Sequence, residues 1–171
     1  MSHHYITTHG DQGESVFSTK VPTEHYAHDI PGGKLEIIYS AHTFPPNLST
    51  ELDIDQYAHD RTHGLPAENP ICPVDGTATA IVSMPPNAVS LMHRTMTLDV
   101  AIVIEGVIEL HLEGGESRTL HAGDSITQRG TMHMWKNVTP DDGWARMAGF
   151  ATPIAQPFEV AGKRLETEWR M

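Results

Sequence analysis

Hydrophobic positions in the second half of the chain recur at every other residue, in short runs. Between 107 and 112, Ile108, Leu110 and Leu112 alternate with Glu109 and His111, the period of a strand with one buried face. Between 99 and 105, Ile102 and Ile104 share one face while Val103 shares the other with Asp99, Ala101 and Glu105. Apolar groups on both faces predict a strand that lines an interior and also meets a second layer, supplied by an N-terminal strand, a partner subunit or both. Further strand-like runs cover 77–84, 89–95, 117–120, 124–128, 133–138 and 144–150. They are separated by Pro85-Pro86-Asn87, Gly106, Gly114-Gly115 and Gly123-Asp124. Short strands at this spacing, with glycine turns and little helix, predict an all-β sandwich or barrel over 76–151.

The first 75 residues read differently. Residues 1–33 are polar and broken by Pro22, Pro31 and Gly32-Gly33, which predicts a solvated arm with at most short strands. Residues 34–41, Lys-Leu-Glu-Ile-Ile-Tyr-Ser-Ala, predict a strand. Leu48, Leu52, Ile54 and Tyr57 lie among acids and predict a short helix near 49–61, capped by Ser49 or Thr50 and with a solvated acidic face. Residues 62–75 read as loop, and 152–171 as a C-terminal surface segment.

Length and charge narrow the function. At 171 residues the chain fits one domain with a substantial core. Eleven Lys and Arg against 22 Asp and Glu give a net charge of −11, which repels phosphate backbones and anionic lipid, so neither nucleic acid nor membrane is an expected partner. The single cysteine, Cys72, excludes an intrachain disulfide. No run has the length of a membrane span or the pattern of a secretory signal, and a cytoplasmic location is expected. Nucleophile elbow, P-loop, dinucleotide fingerprint and His-Glu-x-x-His motifs are all missing from the sequence.

Candidate chemistry gathers in two segments forty residues apart. His93, with Leu91 and Thr95, shares one face of its strand; His133, Trp135 and Asn137 share one face of theirs. If both faces are interior, two imidazoles enter one cavity, and Asp99 joins from the next strand. Two His and a carboxylate form a metal site with open positions. On this reading His93, His133 and Asp99 are the metal and catalytic residues. Thr95, Gln128 and Trp135 are the substrate-contacting ones. Asp99 has a competing role as ion-pair partner of Arg94 or Arg129. Asn137 is expected to fix a turn.

The glycine frame around these residues resembles the cupin family. Gly130, His133 and Asn137 fall at the intervals of its second motif, with Gln128 where proline is usual, and Gly123-Asp124 resembles the turn before it. In the first motif His93 matches, Thr95 stands at the second His position, Asp99 at the Glu position, and Gly106 closes it. The wider pattern, Met-His-Arg-Thr-x-x-x-Asp and Gln-Arg-Gly-Thr-x-His-x-Trp-x-Asn, is similar to short single-domain cupins of bacteria and of fungal biosynthetic gene clusters. The resemblance implies a jelly-roll β-barrel, a homodimer, and a divalent metal (Fe, Zn, Mn or Ni) held more weakly than by a full ligand set. It further implies a small-molecule enzyme whose metal is a Lewis acid on a carbonyl- or carboxyl-bearing substrate, of decarboxylase, isomerase or dehydratase type. An Fe(II) dioxygenase, a metal-free acid–base enzyme using His133, and a non-catalytic ligand-binding cupin are the alternatives.

Overall fold

Alternation of buried and open positions turns nearly half of this chain into strands. The computed structural model describes residues 2–65 and 70–170; positions 66–69 of the expected loop lie outside the described residues. In chain order the strands are β1 (Thr7–His9), β2 (Ser15–Phe17), β3 (Ala27–Ile30) and β4 (Gly33–Ala41), followed by the helix α1 (Leu52–His63). Then come β5 (Thr77–Met84), β6 (Met92–Arg94), β7 (Thr97–Glu105), β8 (Val107–Leu112), β9 (Ser117–His121), β10 (Ser125–Arg129), β11 (His133–Asn137) and β12 (Ala145–Pro153). The tail adds β13 (Phe158–Val160), β14 (Lys163–Leu165) and β15 (Glu168–Arg170).

These strands hydrogen-bond in two main antiparallel sheets. One has six strands in the order β10-β7-β12-β5-β4-β3, the other five in the order β15-β6-β11-β8-β9. The arrangement is the expected all-β jelly roll, seen here as two facing sheets. Met84, Val103, Ala145 and Met147 from the larger sheet meet Ile108, Leu110, Leu120 and Trp135 from the smaller one. Ile108 is fully buried, and burial of such a side chain contributes about 1.5–3 kcal/mol. Inner faces that interdigitate in this way are the usual core of stacked sheets.

The N-terminal third is built into the larger sheet. β4 pairs with β5 on one side and β3 on the other, so it lies within the sheet of its own chain. The arm before it is not simply solvated: β1 and β2 form a hairpin, and the His4 amide donates to the Thr23 carbonyl.

The helix expected near 49–61 forms at Leu52–His63, with Glu51 as N-cap and no side-chain capping bond from Ser49 or Thr50. Its acids are not merely solvated. Asp60 is buried and accepts hydrogen bonds from Ser40 and from the His42 imidazole, each at 2.7 Å. Asp53 accepts one from Tyr39 at 2.5 Å. Polar pairing, together with Ile54 and Tyr57 against Ile37 and Val21, fastens α1 to β4.

Gly106 and Asn137 shape the turns beside the core. Gly106 joins β7 to β8 at φ +76°, and a Cβ there would collide with the Thr139 hydroxyl and the Trp144 carbonyl. Asn137, 1 % exposed, donates to the carbonyls of Met84, Pro85 and Gly143 and accepts from the Thr139 amide. It fixes turns, as its spacing suggested.

Candidate active site

The short strands β6 and β11 pair through one residue couple, His133 opposite His93. Directly opposed side chains on one face lie within contact distance, and the two imidazole centroids are 4.3 Å apart with planes inclined by 51°. Each ring is pinned by its own strand. His93 Nδ1–H donates to the Leu91 carbonyl at 2.8 Å, and His133 Nδ1–H donates to the Thr131 carbonyl at 2.8 Å. A carbonyl can only accept, so in the neutral ring Nδ1 carries the proton and Nε2 keeps its lone pair. Burial holds both rings neutral. The His93 pKa is lowered, and that of His133, only 4 % exposed and beside His93, is pushed down to about 4. The result is two rigid rings in contact, each with an unprotonated Nε2.

Two tryptophans hold these rings. Trp135 meets His133 edge to face at 5.4 Å. Trp169, opposite His93 in the β15–β6 pairing, stacks on His93 with centroids 4.7 Å apart and planes within 6°. The tail is therefore more than a surface segment. Around it Arg94 reaches Glu113 and Glu168, each at 3.6 Å, and Arg170 reaches the same two carboxylates. Arg94 thus turns to the opposite face from His93 and is engaged away from Asp99. Trp169 escaped the sequence reading because β15 is three residues long; the only signal was an aromatic between charges in Glu168-Trp169-Arg170.

The imidazoles face a cavity of about 320 Å³ between the sheets. Its walls are mainly apolar, with Leu35, Ile37, Val82, Met84 and Met147 among them. Thr95, Asp99, Gln128 and Trp135, the other residues singled out from sequence, all line it too.

One corner is polar. Thr95 and Thr97 hydroxyls are 2.7 Å apart, and Thr97 donates to Asp99 Oδ2 at 3.0 Å. Since the single Thr97 proton goes to Asp99, Thr95 donates to Thr97 and offers a ligand only lone pairs. Burial pushes the Asp99 pKa up to about 6 against the pull of those hydroxyls. Asp99 is paired in register with Gln128 of β10. Gln128 Oε1 accepts from Thr131 at 2.5 Å. Its Nε2 and Asp99 Oδ1, both buried, have no partner within the protein. An unmet buried polar atom costs about 1–3 kcal/mol, an arrangement that a bound ligand or water relieves.

For metal binding the fit is specific. Fixed tautomer, free Nε2 and rigid ring are what an imidazole ligand requires, and His93 and His133 both meet these conditions. Among the described residues, no three His, Cys, Asp or Glu side chains are grouped to hold one ion, so an ion at this pair would have two protein ligands and open positions for others.

Comparison with known proteins identifies the family. The Cupin domain family model matches residues 80–143, the stretch holding both histidines. Phomopsin biosynthesis cluster protein C' of Diaporthe leptostromiformis is 38% identical over 162 residues, 94% of this chain and 82% of that protein. The cupin-domain-containing oxidoreductase fogC of Aspergillus ruber is 32% identical over 163 residues, 95% of this chain and 77% of that protein. Among solved structures, KdgF from Halomonas sp. superposes with a TM-score of 0.50 at 19% identity, covering 77% of this chain and 89% of that one, a likeness of fold alone. With identity at this level along nearly its whole length, the chain belongs to the cupin family.

Proposed function

We propose that this cupin is a metal-dependent enzyme of small-molecule biosynthesis acting on a largely apolar substrate that carries a carbonyl or carboxyl group. The observation that carries this reading is the His93–His133 pair: two neutral imidazoles, His93 half-buried and His133 buried, opposed at 4.3 Å, with Nδ1–H bound to backbone carbonyls. His93 Nε2 and His133 Nε2 would hold the ion. A divalent cation there supplies Lewis acidity toward a substrate oxygen, lowering the cost of enolate-like charge.

The chain's own residues do the rest. Apolar walls exclude water from the reacting group, which strengthens every polar contact inside. Trp169 and Trp135 keep the two rings from turning. Asp99, near pKa 6, can take or return a proton at neutral pH, an acid–base role suited to decarboxylation, isomerisation or dehydration. Thr95 offers an acceptor at the same corner.

A second reading is oxidation with iron and dioxygen on the same two imidazoles. It is favoured by the description of fogC and of virC of Hypocrea virens as cupin-domain-containing oxidoreductases.

Metal analysis tests the first premise. Purified protein reconstituted in turn with Fe(II), Zn, Mn or Ni should bind close to one ion, and His93→Ala and His133→Ala should each abolish binding. Full occupancy in either variant would refute the ligand assignment. Oxygen uptake with the iron form and substrate, against turnover without it using a redox-inert ion, separates the two readings.

A further inference from the structure

The orphaned atoms at the polar corner point to what the cavity recognises. Asp99 Oδ1 is an acceptor and Gln128 Nε2 a donor; each is buried and unpartnered. Asp99 and Gln128 sit opposite one another across β7 and β10, and both line the cavity. Their other atoms are committed. Asp99 Oδ2 receives the Thr97 hydroxyl, and Gln128 Oε1 receives the Thr131 hydroxyl. These two bonds fix which atom of each side chain is left over: an acceptor from one strand and a donor from its neighbour. Gln128 is 4 % exposed, so bulk water does not serve its amide.

A single hydroxyl oxygen satisfies both, donating its proton to Asp99 and accepting from Gln128. A ketone or ether oxygen satisfies only Gln128 and leaves the carboxylate unmet; an ammonium satisfies only Asp99. The remaining wall is apolar and includes Trp135 and Trp169, which suits a flat hydrocarbon body.

We propose that Asp99 and Gln128 form a hydroxyl-reading subsite, and that the cavity takes a planar, mostly apolar molecule bearing an alcohol, phenol or enol group. The inference rests on the enzyme reading above for the cavity being a substrate site, and it gives Asp99 a substrate contact rather than a metal bond. It places the discriminating contact on β7 and β10, away from the imidazoles on β6 and β11.

The test uses three matched probes, 2-naphthol, 2-methoxynaphthalene and 2-acetylnaphthalene, with binding to the intact protein followed by calorimetry. Each titration is run metal-free and after metal loading. The wild type should bind 2-naphthol at least tenfold more tightly than either hydroxyl-free probe. Asp99→Asn leaves Thr97 its acceptor and turns the free acceptor into a second donor, so preference should move to the acetyl probe. Gln128→Glu keeps the Thr131 contact and removes the donor that all three probes share, so each should bind severalfold more weakly while the hydroxyl preference, which rests on Asp99, persists. Wild-type binding of the three probes within threefold would overturn the proposal, as would tenfold hydroxyl preference surviving in folded Asp99→Asn or unweakened binding of all three probes by folded Gln128→Glu. Metal content of the same samples keeps the two readings apart: Asp99→Asn protein that loses hydroxyl preference while holding the ion supports the subsite whatever the reaction proves to be. If His93→Ala and His133→Ala retain full metal, the ligand assignment fails while the probe ranking still decides the subsite.

Discussion

His93 and Trp169 stack face to face, 4.7 Å between centroids and within 6° of parallel, although 76 residues separate them in sequence. Trp169 is 48 % exposed, yet its inner face covers a ring whose neutrality depends on desolvation. Trp169→Ala should uncover His93, raise its pKa toward the ordinary histidine value, and weaken metal binding severalfold by freeing the ring plane. Trp169→Phe should preserve most of both. Imidazole titration by NMR reads the first effect; an unmoved His93 titration in Trp169→Ala would show that the stack does not control the ring.

Asp99 and His133 carry opposite pH dependences in the metal-free protein. Asp99 titrates at about 6 when folded and near ~3.9 when unfolded. Its desolvated carboxylate therefore costs stability above pH 6, and this loss is recovered as pH falls from about 6 to about 4. His133 titrates at about 4 when folded and near ~6.5 when unfolded. Stability from keeping it neutral is complete above pH 6.5 and is lost as pH falls toward 4. Over this window the two trends oppose one another. Asp99→Asn removes only the first, so it should stabilise the protein at pH 7.5, by on the order of 2–3 kcal/mol, and should steepen its loss of stability below pH 6. Urea unfolding between pH 4.5 and 7.5 measures both; parallel curves for wild type and variant would contradict the assignment.

Asn137→Ala should destabilise the fold by roughly 2–4 kcal/mol, because three carbonyls and one amide lose a buried partner together. The imidazoles themselves would be untouched, so variant protein that remains folded should still take up metal. A shift in the denaturation midpoint corresponding to under about 0.5 kcal/mol, the usual range for surface changes, would argue that the turn has other supports.

Gly106→Ala should cost about 2 kcal/mol or more, through positive φ and through collision with the 139–144 turn. Thr139→Ser keeps the hydroxyl that binds Val107 and should be milder. Denaturant midpoints for the two variants would establish the order.

The sequence by itself determined the strands of the second half and which candidate side chains share a face. Alternation at Ile108, Leu110 and Leu112 and the two-faced run through Val103 follow from the strand period, a local property that needs no partner to be visible. Face-sharing placed His93 with Thr95, and His133 with Trp135, for the same reason, and the glycine frame around Gly106 and Gly130 marked the family. Only tertiary structure decided what the pair became. Whether two imidazoles converge depends on β6 and β11 being neighbours, a contact forty residues long in sequence. Whether Nε2 is free depends on the carbonyls of Leu91 and Thr131 reaching Nδ1. Trp169, the burial of Asp60 and the unmet atoms of Asp99 and Gln128 were equally out of reach, because desolvation and stacking are made by the sum of distant chain segments, and no local pattern encodes that sum.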